Sequence, residues 1–403
     1  MDAENPKARR DLEFFPAQSG NQTLIVIKDR LGLVQEGNAI NPELYKLLSV
    51  LDGSQSVRDI QVELMRQQGG RLVSTEEVEA FLNRLDSSYL LDSPRYRKAR
   101  MELVNRFSAQ KVRYCSHAGL SYPKEQQALR KRLEDILAIE QAPNLPSGRV
   151  TALVAPHIDL EAGKRVYSSA YQAIGGLKLE RVILLGVGHS MTDAMFSISD
   201  KDFETPLGRA ETDGKIVREL MDAGGGVLSS DDFVHRDEHS IEFQLIFLQH
   251  LFTDSTFTIV PILCGSLMAS LPAYDRQAYR SKGDDFLKVL ASAAGDDGTI
   301  MLAGVDLSHV GPKFGHDTPA SVIMRDSEEH DRQLLDFLCS RNADGFWEES
   351  KKVNDRYNVC GFSALACLLE TLPPSQGTLL SYETYREEPT KSAVSFAAAI
   401  FTN

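Results

Sequence analysis

At 403 residues, with 42% apolar and 25% charged side chains, the chain has the composition of a soluble globular protein and is longer than one ordinary core needs, so two domains are expected. A net charge of -13 argues against nucleic acid or an anionic membrane surface as partner, and no apolar run approaches the ~20 residues that span a bilayer. The five scattered cysteines read as reduced thiols, not a disulfide framework, and the N-terminus lacks the apolar core of a signal peptide, so a cytoplasmic location is expected.

In chain order, residues 1–20 show no periodicity and read as a tail. Leu24-Ile25-Val26-Ile27 reads as a strand. Asn41 caps a first helix, Pro42 opens it, Leu44, Leu47, Leu48 and Leu51 share its inner face, and Gly53 stops it. A second helix follows Ser56, turns Ile60 and Leu64 inward, and ends at Gly69-Gly70. Ser74-x-x-Glu77 is a capping box for a third, which buries Val78, Phe81, Leu82 and Leu85. Residues 21–93 therefore suggest a small winged-helix-like α+β module. Its seven basic and eleven acidic residues over 21–92 disfavour DNA. Residues 94–113 carry Arg95, Arg97, Lys98, Arg100, Arg106, Lys111 and Arg113 against Glu102 alone, and read as a solvated basic connector helix.

Beyond it, residues 114–403 read as one α/β domain. Glu125 to Ile139 is an amphipathic helix, and from Arg149 strands and helices alternate. Strand candidates are 150–155, 181–185, 257–263, 299–303 and 393–400, and the alternation implies a mostly parallel sheet flanked by helices. The clearest intervening helix is 238–252, with Ile241, Leu245, Leu248 and Phe252 along one stripe.

In open α/β sheets, ligands bind beyond the carboxyl ends of the strands. Here Ala155-Pro156 runs into His157, Gly186-Val187-Gly188 into His189, and Gly304-Val305 into Asp306-Leu307-Ser308-His309. With nine histidines in the chain, three strand ends each meeting one has a chance on the order of one in a thousand. Any one alone would be an ordinary loop residue; together they read as metal ligands or acid–base groups. Cys360 precedes a helix that turns Leu365, Leu368 and Leu369 inward, where the dipole favours thiolate, whereas Cys367 reads as packing. The block Asp237-Glu238-His239-Ser240-Ile241-Glu242 opens the clearest helix and puts His239 and Glu242 on one face, as a base and its supporting partners. His235, His250, His316 and His330 have no positional argument and read as surface or packing residues.

Ala-Pro-His157, Gly-x-Gly-His189, the Asp-Glu-His-Ser-Ile-Glu block, Val-Asp306-Leu-Ser-His309-x-Gly and Cys360-Gly, in that order over roughly residues 114–402, resemble the Memo family. The resemblance implies a fold similar to the class III extradiol dioxygenases, whose nonheme iron sits at the sheet edge. It implies a metal site of His157, His189 and Cys360, with His309, Asp306 and His239 lining the pocket. It also implies iron- or copper-dependent redox activity and a radical-SAM protein as partner. Two positions depart from the family pattern. His157-Ile158-Asp159-Leu160 stands where His-Ala-Gly-Tyr is common, and Ser190 where a second histidine often follows. Asp159 thereby alters the charge near the site. The first hundred residues lie outside the common family domain and look like PqqD-like winged-helix modules, which bind peptides and partner enzymes.

The expected function is thus a redox metalloprotein using mononuclear Fe or Cu on a small-molecule or peptide substrate, with Zn also compatible with the donor set. His309 and His239 are expected to be acid–base or oxygen-orienting groups, Asp306 to orient His309, and Glu242 to lie in the pocket. A zinc hydrolase with Glu242 or His309 as base is one alternative, and a peptide-binding adaptor with a vestigial metal site is another.

Overall fold

The Asn41 side chain accepts from the Leu44 amide and opens the helix Pro42–Val50, while Ser74 and Glu77 close a full capping box on Thr75–Ser87. Val57–Gln67 lies between them, and the three helices turn Leu48, Leu51, Ile60, Val78, Leu82 and Leu85 into one core. These elements belong to the first of two units, Met1–Ala109 and Gln110–Asn403, in a computed structural model that describes residues 5–403 apart from 21, 68, 146, 254, 255 and 272.

Of the segment read as an N-terminal tail, the described residues from 5 onward are docked on this core, with Ala8 and Leu12 in it. Leu12–Ser19 pairs antiparallel with Gln22–Asp29, and Ala39–Ile40 adds a third short strand. Arg9 is buried, bonded to Asp11, Asp29 and the Tyr89 carbonyl, with its guanidinium 4.3 Å from the Tyr96 ring centroid. Polar residues and Pro16 in this stretch mask its strand periodicity. The basic helix is also shorter than expected. Pro94–Ser108 ends before Val112–Tyr114, a short strand of the second unit on which Arg113 is buried, not solvated.

The second unit is a sheet of eleven strands flanked by helices. Its centre runs Val150–Ala155, Thr299–Gly304, Arg181–Val187, Thr258–Cys264, all parallel. These are continuous apolar runs because both faces are covered. Register sets Ala155 beside Gly304 and Val187 beside Cys264, so the carboxyl ends form one edge. The last strand departs from expectation. Ser392–Thr402 is antiparallel to Val150–Ala155 and forms a hairpin with Gln376–Glu387. The short turn between the hairpin strands has no room for the crossover that parallel pairing requires.

The helix His239–Leu251 is buried on every side from Ser240 to Leu248, so it is a central helix and not an amphipathic one with a single stripe. Ser240 fastens its start to the sheet edge, where Oγ accepts from the Val187 amide at 3.0 Å and donates to the Val187 carbonyl at 3.2 Å. A Cβ at Gly304 would lie 2.5 Å from the Ser240 carbonyl oxygen, so only glycine lets the helix seat so close. Among the described residues, no helix is long and apolar enough to cross a membrane.

Candidate metal centre

Two residues beyond the strand Val150–Ala155 comes His157, which is 2% exposed. Its Nδ1 lies 2.9 Å from the Gly304 carbonyl oxygen, a partner that requires Nδ1–H and leaves Nε2 as the ring's lone-pair donor. Burial, partly opposed by the neighbouring Asp306 charge, lowers the His157 pKa to about 4, so the imidazole is neutral and ready to ligate at physiological pH.

Asp306 serves this histidine more directly than it serves His309. Its Oδ1 accepts from the amides of His157 at 3.0 Å and Ile158 at 3.2 Å, and its Oδ2 is 3.6 Å from His157 Nε2. The expectation that Asp306 orients His309 is therefore corrected: His309 Nδ1 bonds the Leu307 carbonyl at 3.0 Å, and its ring meets Phe314 edge-on. Burial lowers the His309 pKa, against the pull of Asp306.

Cys360 Sγ stands 3.6 Å from His157 Nε2 and 3.6 Å from the Asp306 carbonyl oxygen. The helix Phe362–Thr371 begins just after it, as expected, yet the sulfur is not a ready thiolate. Burial, with Asp306 and Glu238 nearby, pushes the thiol well above its ordinary value. The approach to Cys360 is unusual in its backbone. Asn354, Asp355 and Asn358 all have left-handed conformations, with φ of 49°, 53° and 49°. The Asn358 side-chain amide donates to the carbonyls of His309 and Phe314, and the amides of Cys360 and Gly361 donate to those of Leu307 and Asp306. The two loops are thus laced together through backbone groups. A Cβ at Gly361 would come within 2.5 Å of the Asp306 oxygen, so Gly361→Ala should displace the sulfur. We expect a loss of at least about tenfold in Co(II) affinity, the size of effect seen when groups behind a metal ligand are disturbed. Titration followed by the thiolate-to-cobalt absorption checks it; unchanged affinity would show that the loops can part without cost.

His189 projects from the next strand end and is held by Glu238, whose two oxygens each lie 3.0 Å from Nδ1. Glu238 also caps the helix His239–Leu251 and is 3.2 Å from His239 Nδ1. Burial works against its charge, but His189 and His239 hold the carboxyl well below the usual range. One carboxylate therefore orients two imidazoles, an arrangement common behind metal-binding histidines. The rings of His157, His189 and His239 have centroids 5.0–5.2 Å apart.

The donor atoms of His157, His189 and Cys360 all lie within 4.8 Å of one another, the separation of groups able to share one ion. His309 is outside that set. Glu242 is elsewhere. It was expected in the pocket, but it is completely buried and its oxygens take donations from Arg113, Ser116, Tyr122 and the His117 amide. Burial opposes its charge, and Arg113 with these donors holds its pKa down. A carboxylate so fully bonded anchors the 115–122 loop and is not a free base. That loop carries His117, which the sequence reading passed over. His117 Nε2 lies 3.1 Å from the Asp237 carbonyl, and its ring lies 5.4 Å from that of His239. It too follows a strand, Val112–Tyr114, but one of three residues inside a basic run. Among the other histidines, His235 and His330 are buried packing residues. Cys264 and Cys367 lie in the core.

Residues 113–400 match the family model described as Memo-like protein. A MEMO1 family protein of Aquifex aeolicus is 32% identical over 399 residues, covering 98% of this chain and 99% of that one. A MEMO1 family protein of Methanopyrus kandleri is 28% identical over 299 residues, 70% of this chain and 96% of its own length. One of Thermus thermophilus is 28% identical over 342 residues, 84% of this chain and 97% of the relative. The Aquifex likeness spans both units.

Proposed function

The chain belongs to the Memo-like protein family, and from that premise we propose that it is a redox metalloprotein holding one iron or copper ion between His157, His189 and Cys360. The observation that carries this reading is the convergence of two imidazoles and a sulfur from three separate chain segments on one point of the sheet edge. The donors fit such an ion: two histidines fixed by partners on Nδ1, and a soft sulfur. When bound, the ion would supply one-electron chemistry.

The chain's own residues do the rest. Asp306 fixes the loop that presents His157, and Glu238 fixes His189. His239 and His309 are the groups placed to accept, hold or return a proton beside the ion. A likeness to the class III extradiol dioxygenases belongs to this reading, as do a small-molecule or peptide substrate, a radical-SAM partner and a peptide-docking role for the first unit. The zinc hydrolase alternative is weaker, since Glu242 is already bonded on both oxygens.

Metal analysis of anaerobically purified full-length protein, followed by oxygen uptake, tests the proposal. About one equivalent of iron or copper and metal-dependent uptake are expected; zinc-supported hydrolysis without oxygen would replace the reading. The pH dependence follows from Cys360. Its thiol is held above the ordinary range, so binding must displace one proton, whereas His157, with its pKa near about 4, displaces none above pH ~5. Apparent Co(II) affinity should therefore rise about tenfold per pH unit between pH ~6 and ~8. A flat profile would mean that the sulfur is not a ligand.

A further inference from the structure

A second group of donors lies beside the first. Ligand atoms of His189, Glu238 and His239 also lie within 4.8 Å of one another, and His189 belongs to both groups. The Nδ1 atoms of His189 and His239 are 3.0 and 3.2 Å from Glu238 oxygens. Ligands of one tetrahedral ion, each about 2.1 Å from it, are separated by roughly 3.4 Å, so the contacts that now hold hydrogen bonds are close to a coordination spacing.

The two groups differ in depth and in chemistry. His157 is 2% exposed, whereas the side chains of His189 and His239 are 26% and 30% exposed. The outer group offers two nitrogens and a carboxylate oxygen, and the inner one two nitrogens and a sulfur. A negative carboxylate attracts any cation, while sulfur selects and retains soft ones. The His117 ring, 5.4 Å from His239, extends the row of imidazoles beyond the outer group.

We propose that His189, Glu238 and His239 form an entry site for the metal ion, which then passes inward by keeping His189 and exchanging Glu238 and His239 for His157 and Cys360. The exchange needs no oxidant or reductant. Each imidazole binds as the neutral ring with its N–H proton on the other nitrogen; His189, which meets the ion through Nδ1 at the entry site and through Nε2 at the inner one, passes that proton from Nε2 to Nδ1 through water, and the Cys360 thiol proton goes to water as the metal–sulfur bond forms. Glu238 and His239 then regain their hydrogen bonds. This inference rests on the inner site of the proposed function.

Stopped-flow mixing of Co(II) with the metal-free full-length chain tests it. The wild type should show a nitrogen–oxygen cobalt spectrum first and the thiolate-to-cobalt band later. In His239→Ala, which keeps all three inner donors, the thiolate band should reach the wild-type amplitude but form at least about tenfold more slowly. Cys360→Ser should stop at the first spectrum. A thiolate band in His239→Ala at the wild-type rate would overturn the entry site and leave the inner site standing. No thiolate band in the wild type at any time would remove the inner site and this inference together.

Discussion

Replacing Cys360 by serine should give a folded protein that no longer retains a soft metal ion. The substitution keeps the volume roughly constant, so packing loss is small, but it exchanges a thiolate donor for a hydroxyl that binds iron(II) or copper(I) poorly. The loss in affinity should be at least about 100-fold, or about 2.7 kcal/mol, with the melting temperature of the metal-free protein nearly unchanged. Cys367→Ser is the control. Cys367 is 0% exposed in the core, so its hydroxyl meets apolar neighbours at a cost of about 1–3 kcal/mol, while metal content stays as in the wild type. Bound metal, oxygen uptake and melting temperature, measured on both variants, decide the matter. Full occupancy in Cys360→Ser would reduce the ligand set to histidines.

The largest effect on stability is expected at Glu242. With Glu242→Ala the Arg113 guanidinium, 1% exposed, is left charged and without its counter-ion, a change that costs about 3–5 kcal/mol. At roughly 2–4 °C per kcal/mol for a domain of this size, the melting temperature should fall by about 10 °C. Removing both charges together, as Arg113→Met with Glu242→Leu, should recover much of that loss, because two apolar groups need no counter-ion. The pH dependence has a definite sign. The folded-state pKa of Glu242 is depressed, so its contribution is fully present above the ordinary carboxylate value near 4.3 and is lost as pH falls below it. Were Glu242→Ala to melt like the wild type while losing turnover, the carboxylate would be a base after all.

The sheet edge was legible because buried parallel strands are unbroken apolar runs, and what interrupts them must sit at their ends. His157 and His189 could be picked out in this way and Cys360 by its place before a helix, and their donor atoms do come together. What could not be read was pairing across long separations. Glu242 looks like a base when only its helical neighbours are known; its partners Arg113 and Tyr122 lie 129 and 120 residues away. His117 was lost for the same reason, since a three-residue strand has too little pattern to stand out. The antiparallel run of Ser392–Thr402 depended on a partner, Gln376–Glu387, whose exposed and half-buried residues show no regular alternation. The thiol of Cys360 illustrates a different limit. Its position before a helix is visible in the sequence, but the burial that raises the thiol is not.

The long reach of the Arg113–Glu242 contact also orders events during synthesis. At ~5–20 residues per second, Arg113 leaves the ribosome roughly 6–26 s before the carboxylate that neutralises it. Until then the 115–122 loop has nothing to close on, and His117 has no fixed address. The Asp306–His309 loop waits a shorter time but later in synthesis, because the Ser308 amide finds its acceptor in Ser395, 87 residues downstream. The second unit therefore acquires its ligands in one order and their places in another, and the centre is among the last parts of the nascent chain to be completed.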